Sequence, residues 1–226
     1  MLNANNVPHE GREYEKIEAL EPGTYPARLV RVVNMGLQTQ RPFQGEEKAP
    51  KMDLHLTYEL TDEFLRTEEG EEDKTKPRWV SERIPFNSLD SDLAKSTKRY
   101  YALDPNEEYD GDWEKLIGTP CMINITQNPG KGKNKDRIFN NVDGVSSMRP
   151  KEAAKAPELV NDPVVFDFYN PDLELFGTFH QKLQDSIKES LDFEGSDLEK
   201  MLEGQGKSSD KKEKKSKPEA EDEEDW

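Results

Sequence analysis

Hydrophobic and polar residues alternate in several segments of the N-terminal two thirds of the chain. The clearest segment runs from Met52 to Leu60, where every second side chain is apolar and those between are polar or charged. A period of two predicts an antiparallel strand with one buried and one exposed face. Similar patterns predict four further strands, at Tyr25–Val33, Arg78–Phe86, Cys121–Thr126 and Arg137–Val142.

A helical pattern separates the third and fourth of these strands. Ser91 can cap its N-terminus, Pro105 lies just beyond its end, and a shorter helical turn follows at 112–117. Five short strands with a helix between the third and the fourth are typical of the OB-fold barrel. We therefore expect a mainly β protein in which residues 22–150 form a five-stranded OB-fold barrel, preceded by a loose arm at 1–21.

A different pattern follows the predicted barrel. A polar linker is expected from residue 151 to about 161, and an amphipathic helix at 172–191 begins with the Asn-Pro-Asp signal of residues 170–172. The apolar residues of this helix recur at spacings of three and four, which predicts one continuous buried stripe. They are Leu173, Phe176, Phe179, Leu183, Ile187 and Leu191.

A second, shorter helix is expected at 197–203. Ser196 and Glu199 have the spacing of a capping box at its N-terminus. Residues 151–204 thus form a linker and helical extension. Residues 205–226 have low complexity and are expected to be a disordered Lys-rich spacer and acidic tail.

The charge of the chain limits the classes of function that the protein can have. Only 32% of the residues are apolar, 35% are charged, and the net charge is −16. Such a chain is poorly suited to holding duplex DNA by general phosphate neutralisation, although a local basic groove is compatible with it. No secretory signal pattern and no apolar run of membrane-spanning length occurs, so we expect a soluble intracellular protein that contacts no membrane.

The sequence carries no recognisable catalytic or metal-binding motif. Cys121 is the single cysteine, and its apolar neighbours favour a small core residue over a nucleophile. His55 lies on the polar face of its strand, which favours a surface residue over a general base. We expect no enzymatic activity, no cofactor and no metal.

A basic segment at 130–137 contrasts with the acidic body. It connects the fourth and fifth strands, and in OB-folds this loop is one wall of the oligonucleotide cleft. Its basic side chains could follow phosphates, although a charged turn without a ligand would have the same composition. They are Lys131, Lys133, Lys135 and Arg137.

The other wall would be the Gln-rich connection between the first two strands, with Arg41, Phe43 and Lys51. Phe43 could stack on a base or plug the end of the barrel. Stacking contributes about 1–3 kcal/mol per base without sequence preference. The third strand adds Arg78, Trp79 and Arg83, and the fifth adds Phe139 as a further stacking candidate. Arg28 and Arg31 are an odd number of residues apart and should face opposite sides of the first strand.

The last eight residues carry six carboxylates and end in an indole. Disordered acidic tracts usually exclude aromatic residues, so a terminal Trp suggests an anchor for a partner with a basic rim. The residues concerned are Glu219, Glu221, Asp222, Glu223, Glu224, Asp225 and Trp226.

These features resemble the bacteriophage single-stranded DNA-binding proteins. The resemblance rests on the strand and helix order across about 24–148, the basic loop 130–137 and the terminal segment Asp222–Trp226. It implies a protein that coats single-stranded DNA without sequence preference during phage replication, recombination and repair, in the cytoplasm of an infected bacterial host. The tail would shield the groove and recruit a polymerase, primase or helicase, and exchange of tails would give a homodimer.

Two other classes remain open. The acidic body would also suit a scaffold or DNA mimic that occupies another protein's nucleic-acid site without binding DNA itself. A nuclease or polymerase accessory subunit with a metal among its carboxylates is the third interpretation.

Overall fold

A single mixed sheet forms the centre of the protein. The computed structural model describes residues 18–132 and 135–204. Five antiparallel strands in the order β3-β2-β1-β4-β5 overlap all five predicted segments, and a sixth strand, β6, pairs with β1 in parallel. The mainly β class is confirmed. The strands are β1 (Gly23–Phe43), β2 (Glu46–Arg66), β3 (Glu72–Pro85), β4 (Pro120–Pro129), β5 (Ile138–Ser147) and β6 (Val164–Asp167).

Short helices connect and follow the strands. The helix predicted between the third and fourth strands is confirmed, but Ala94 rather than Ser91 is its N-cap, with no side-chain cap hydrogen bond. The helices are α1 (Lys95–Leu103), α2 (Pro150–Ala153), α3 (Leu173–Thr178), α4 (Gln181–Lys188) and α5 (197–204), with a 3-10 turn at Glu114–Leu116. None of the helices in the described part of the chain is long and apolar enough to cross a membrane.

The sheet is open, so the prediction of a closed barrel is wrong. β3 and β5 are the two ends of the strand order and do not pair with each other within residues 18–132 and 135–204. Helix α1 bridges them instead. Arg99 pairs with Glu82 of β3 at 2.8 Å and also donates to the carbonyl of Asp143 in β5. Lys95 likewise joins Glu82 to the carbonyl of Val142.

One face of the sheet packs against α1 and the 3-10 turn to form the first core. Leu56, Tyr58, Leu60 and Ile123 are enclosed there, as the period of two predicted. Trp113 contacts Tyr100 with ring centroids 5.6 Å apart. Burial favours the uncharged state of a thiol, and it raises the pKa of Cys121, also in this core, to about 12.

A second core lies on the opposite face of β1. Val33 and Met35 of β1 are buried there against apolar side chains of the C-terminal extension, so both faces of β1 are covered. The predicted linker and helices are therefore packed onto the sheet. The extension contributes Phe166, Phe168, Phe176, Phe179, Ile187 and Leu198 to this core.

The hydrogen-bonding edge of β1 explains where the extension lies. β4 pairs with β1 only from Gly23 to Arg28, and β6 takes over the pairing from Arg31 to Asn34. Further along, the carbonyl of Leu37 accepts hydrogen bonds from the backbone N–H of Leu191 and the hydroxyl of Ser190. Unpaired backbone groups are costly to bury, so the extension completes the sheet.

The single helix predicted at 172–191 is instead two helices, α3 and α4. Phe179 and His180 have extended backbone conformations that end α3, and the His180 Nδ1 accepts the backbone N–H of Lys182 to start α4. Gly177 weakens the helix just before the break. Leu191, at the end of the predicted stripe, is exposed.

Two predicted helix starts can be compared with the structure. The side chain of Asp172, not Asn170, caps α3 by accepting from the backbone N–H of Leu175. The predicted cap of the last helix is confirmed, because the Ser196 hydroxyl accepts the backbone N–H of Glu199 at 3.1 Å.

The contact between β1 and the extension leaves no room for a side chain at Gly36. A Cβ atom there would lie 2.6 Å from the Ser190 Oγ and 2.8 Å from the Phe168 Cδ1. The φ angle of Gly36 is +72°, in the left-handed region that favours glycine.

We expect Gly36→Ala to destabilise the protein more than a matched substitution at Gly70. Gly70 has φ +86°, and a Cβ atom added there would meet no atom within 4 Å, so Gly70→Ala should cost only the backbone term of about 1–2 kcal/mol. Gly36→Ala should cost about 1–3 kcal/mol more through overpacking. Urea unfolding measures both; equal losses would contradict the close packing of the extension on β1.

Candidate nucleic-acid interface

The side of β2 and β3 opposite the first core carries polar and aromatic residues, and we call it the outer face. On β3, Trp79, Ser81 and Arg83 alternate with the core-facing Val80 and Ile84. On β2, the paired residues are Glu59, Thr57 and His55, with Asp53 beyond them. The outer face therefore contains two of the predicted binding residues, Trp79 and Arg83.

Trp79 is held in a fixed orientation on the outer face. Its Nε1 donates to the Glu59 Oε2 at 3.1 Å, and the guanidinium of Arg31 lies 5.0 Å from the ring centroid. The residue is nevertheless 40% exposed. An aromatic ring that is oriented by its neighbours but open to solvent can stack on another ring with little loss of conformational entropy.

Glu59 also accepts hydrogen bonds from the linker and so holds it against the outer face. Its carboxylate is buried and accepts from the backbone N–H of Val160 at 2.6 Å and from the Asn161 Nδ2 at 2.6 Å. Hydrogen bonds to an ionised group are stronger than those between neutral groups. The carboxylate that orients Trp79 is thus the same one that positions the segment leading to β6.

Arg28 and Arg31 both lie on the outer side of β1, so the prediction that they face opposite sides is wrong. The pairing with β2 shifts register between Leu29 and Arg31, and this β-bulge cancels the alternation. Arg28 is buried and donates to the carbonyls of Gly118, Ala156 and Pro157. Arg31 contacts the ring of Phe179 as well as Trp79.

A cavity of about 700 Å³ opens beside the outer face. Arg83 lines it and is held by Asp53, at 2.7 Å, and by the Gln38 side-chain carbonyl, at 2.9 Å. The Nη1 group of Arg83 takes part in neither bond. The predicted Arg41 also lines this cavity, together with other residues of the Gln-rich segment that the sequence proposed as a wall of the cleft: Gln38, Thr39, Gln40 and Lys48. The sequence did not single out Pro85 and Glu189, which also line it.

His55 is half-buried on the outer face, so the prediction of a surface histidine is only partly right. Its burial, reinforced by the positive charges of Arg31 and Arg83, lowers its pKa to about 4. The imidazole is therefore neutral near pH 7. Its Nδ1 is buried and makes no hydrogen bond within the described structure.

The basic β4–β5 turn lies away from this cavity. Gly23 pairs with Ile125, which places that turn beside the start of β1, whereas Phe43 pairs with Glu46 at the other end of the strand. The two predicted walls of the cleft are thus separated along β1. Lys131, Lys135 and Arg137 are exposed at the turn, and Phe139 is 44% exposed next to it.

The remaining predicted residues are scattered. Lys51 donates to the Asn87 Oδ1 at 2.8 Å, and Arg78 donates to the backbone carbonyl of Glu18. Phe43 ends β1, but its side chain is outside the described part, as is Lys133. The tail residues from Glu219 to Trp226 also lie outside the described residues.

The sequence reasoning missed Arg31 and Glu59 as parts of this surface. Glu59 occupies a regular outward position of β2, where a solvated carboxylate was the natural expectation. The alternation alone does not show which side of β1 Arg31 faces, because no sequence signal marks the bulge. Within residues 18–132 and 135–204, no group of three or more His, Cys, Asp or Glu side chains could hold a metal ion.

Comparison with known proteins adds no family assignment. No protein-family model matches the chain, and no curated protein is significantly similar to it.

We expect the neutral His55 to make stability depend on pH. Its pKa is about 4 when folded and ordinarily about 6.5, so below pH 6.5 the unfolded chain binds a proton that the folded protein does not. The free energy of unfolding should therefore fall as pH drops from 6.5 towards 4. The slope of the free energy of unfolding against pH gives the number of protons taken up on unfolding. Between pH 7.5 and 5.5, His55→Gln should lower that number by up to about one. Identical slopes would contradict the burial of a neutral imidazole.

Proposed function

We propose that the protein binds single-stranded DNA without sequence preference through the outer face of β2 and β3. The observation that carries this proposal is Trp79, an indole that is oriented by Glu59 and Arg31 and still 40% exposed. Stacking of a base on such a ring is sequence-tolerant, because every base has a π face. Duplex DNA keeps its bases stacked on each other and does not offer this contact.

Charges around Trp79 support a strand backbone on the same face. Arg83 lies on the same side of β3 as Trp79 and retains an Nη1 group outside its bonds to Asp53 and Gln38. Arg41 lines the adjoining cavity. Asp53 and Glu189 line it too, so the local field is mixed. Binding should accordingly be moderate and strongly weakened by salt.

The wider role stays part of this proposal. We propose that the open sheet is a variant of the OB-fold in which α1 lies between β3 and β5, and the order of strands and helix supports this proposal. The acidic tail would recruit replication proteins such as a polymerase, primase or helicase, with Trp226 as its anchor. Coating of transient single strands during phage replication, recombination and repair is the activity that these parts would serve together, without bond-making chemistry.

We expect Trp79→Ala to weaken binding of a fluorescent oligo-dT by roughly 5- to 150-fold, since one base stack contributes about 1–3 kcal/mol. Fluorescence anisotropy with the full-length protein at two salt concentrations measures this. Tyr101→Ala is the matched control, because Tyr101 is 37% exposed but lies on α1. Thermal unfolding of each variant shows whether it is folded.

Phe139→Ala distinguishes DNA binding at the outer face from DNA binding at the β4–β5 turn. If only Phe139→Ala weakens binding, the strand lies at the turn and the outer-face proposal is wrong. If the wild-type protein binds no oligo-dT at either salt concentration, the binding function itself is wrong, and an acidic scaffold or DNA mimic becomes the better interpretation.

A further inference from the structure

Arg31 differs from the other arginines that pack against the sheet. Arg28, Arg83 and Arg99 each pair with a carboxylate, namely that of Glu158, Asp53 or Glu82. Arg31 has no carboxylate within 4.0 Å among the described residues, and its guanidinium lies instead between two aromatic contacts, with Trp79 and Phe179. A partly buried cation without an anion is costly and calls for a partner.

Two buried nitrogen atoms, one in Arg31 and one in His55, also make no hydrogen bond. The Arg31 Nε and the His55 Nδ1 are the buried side-chain polar atoms of the described structure that make no hydrogen bond. Strand pairing places them near each other, because Arg31 is opposite Thr57 and His55 is opposite Val33. His55 is also opposite Arg83 on β3. Three nitrogen-bearing side chains thus adjoin one another where the outer face meets the extension.

Burial lowers the pKa of Arg31, but an arginine stays protonated at neutral pH. His55, with its pKa of about 4, adds no charge there. The local positive charge therefore belongs to Arg31 and, beside it, to Arg83, whose charge is balanced by Asp53. Arg31 is the cation of this cluster that lacks an anion.

We propose that Arg31 is a phosphate-binding subsite next to the base-stacking surface of Trp79, so that one nucleotide places its base on the indole and a neighbouring phosphate on the guanidinium. This inference rests on the proposed function and identifies its first backbone contact. The planar guanidinium presents paired N–H donors that match phosphate oxygens. Its contact with Trp79 places the two subsites next to each other.

A phosphodiester strand fits better than a small carboxylate ligand. The guanidinium of Arg31 lies 5.0 Å from the Trp79 ring centroid, so the two recognise a base and a charge side by side. The cavity lined by Arg83 and Arg41 continues along the same face and gives the strand a path. A free phosphate ion shares the backbone's chemistry but not the base, and this difference can be tested.

We expect Arg31→Gln to weaken binding of oligo-dT about tenfold or more and to change its salt dependence. Each phosphate contact with a single strand contributes about −0.7 to the slope of log affinity against log salt, so the slope should become less steep by about 0.7. A purely structural role for Arg31 would lower affinity without changing this slope. Arg149→Gln removes the same charge from an exposed residue whose side chain makes no capping bond, and it should leave the slope unchanged.

A second arm uses inorganic phosphate in place of the strand. In nuclear magnetic resonance spectra of the full-length protein at pH 7, phosphate should shift the ring signals of His55 but not those of His180, relative to chloride at equal ionic strength. Arg31→Gln should abolish the shift. A shift without oligo-dT binding would refute the proposed function and retain a phosphate site. If oligo-dT binds and the salt-dependence slope is the same for Arg31→Gln and Arg149→Gln, the phosphate subsite is wrong and the proposed function is unaffected.

Discussion

The backbone edge of β1 is the constraint on which the rest of the structure depends. β1 is 21 residues long, but β4 pairs with it only as far as Arg28. From Arg31 to Gln38 the residues of β1 are buried or half-buried, and their backbone groups need partners. β6 supplies them from Arg31 to Asn34, and the segment after α4 supplies them at Leu37. The C-terminal extension is therefore part of the sheet, and its apolar side chains cover the side of β1 that β4 and α1 leave open.

The position of the extension in turn shapes the candidate interface. The linker that leads to β6 must cross the outer side of the sheet, where Arg28 holds the carbonyls of Ala156 and Pro157 and Glu59 holds Val160. The same Glu59 orients Trp79, and Phe179 of the extension covers Arg31. The proposed stacking residue Trp79 and the cation Arg31 are thus positioned jointly by two distant parts of the chain. That coupling distinguishes Trp79 from the exposed Phe139.

Much of the sheet could be predicted because its signal is local. Alternation placed all five antiparallel strands, and the capping box placed the last helix at Ser196. The features that the sequence did not predict depend on residues far away in the chain. β6 is only four residues long and lies between the predicted linker and the first helix of the extension, and its pairing joins positions about 133 apart, as between Arg31 and Val164. The prediction of a closed barrel is wrong because Arg99 and Lys95 of α1 donate hydrogen bonds to backbone carbonyls of β5. The bulge after Leu29, which turns Arg31 outward, has no signature in the residues themselves.

The central claim is that a single strand lies on the outer face at Trp79 rather than on the basic β4–β5 turn. Photo-cross-linking of the full-length protein to an oligonucleotide that carries 5-bromodeoxyuridine, followed by mass spectrometry of the peptides, tests it most directly. Our account predicts an adduct on the peptide that contains Trp79. Adducts confined to the peptides around Lys131 and Phe139 would contradict it.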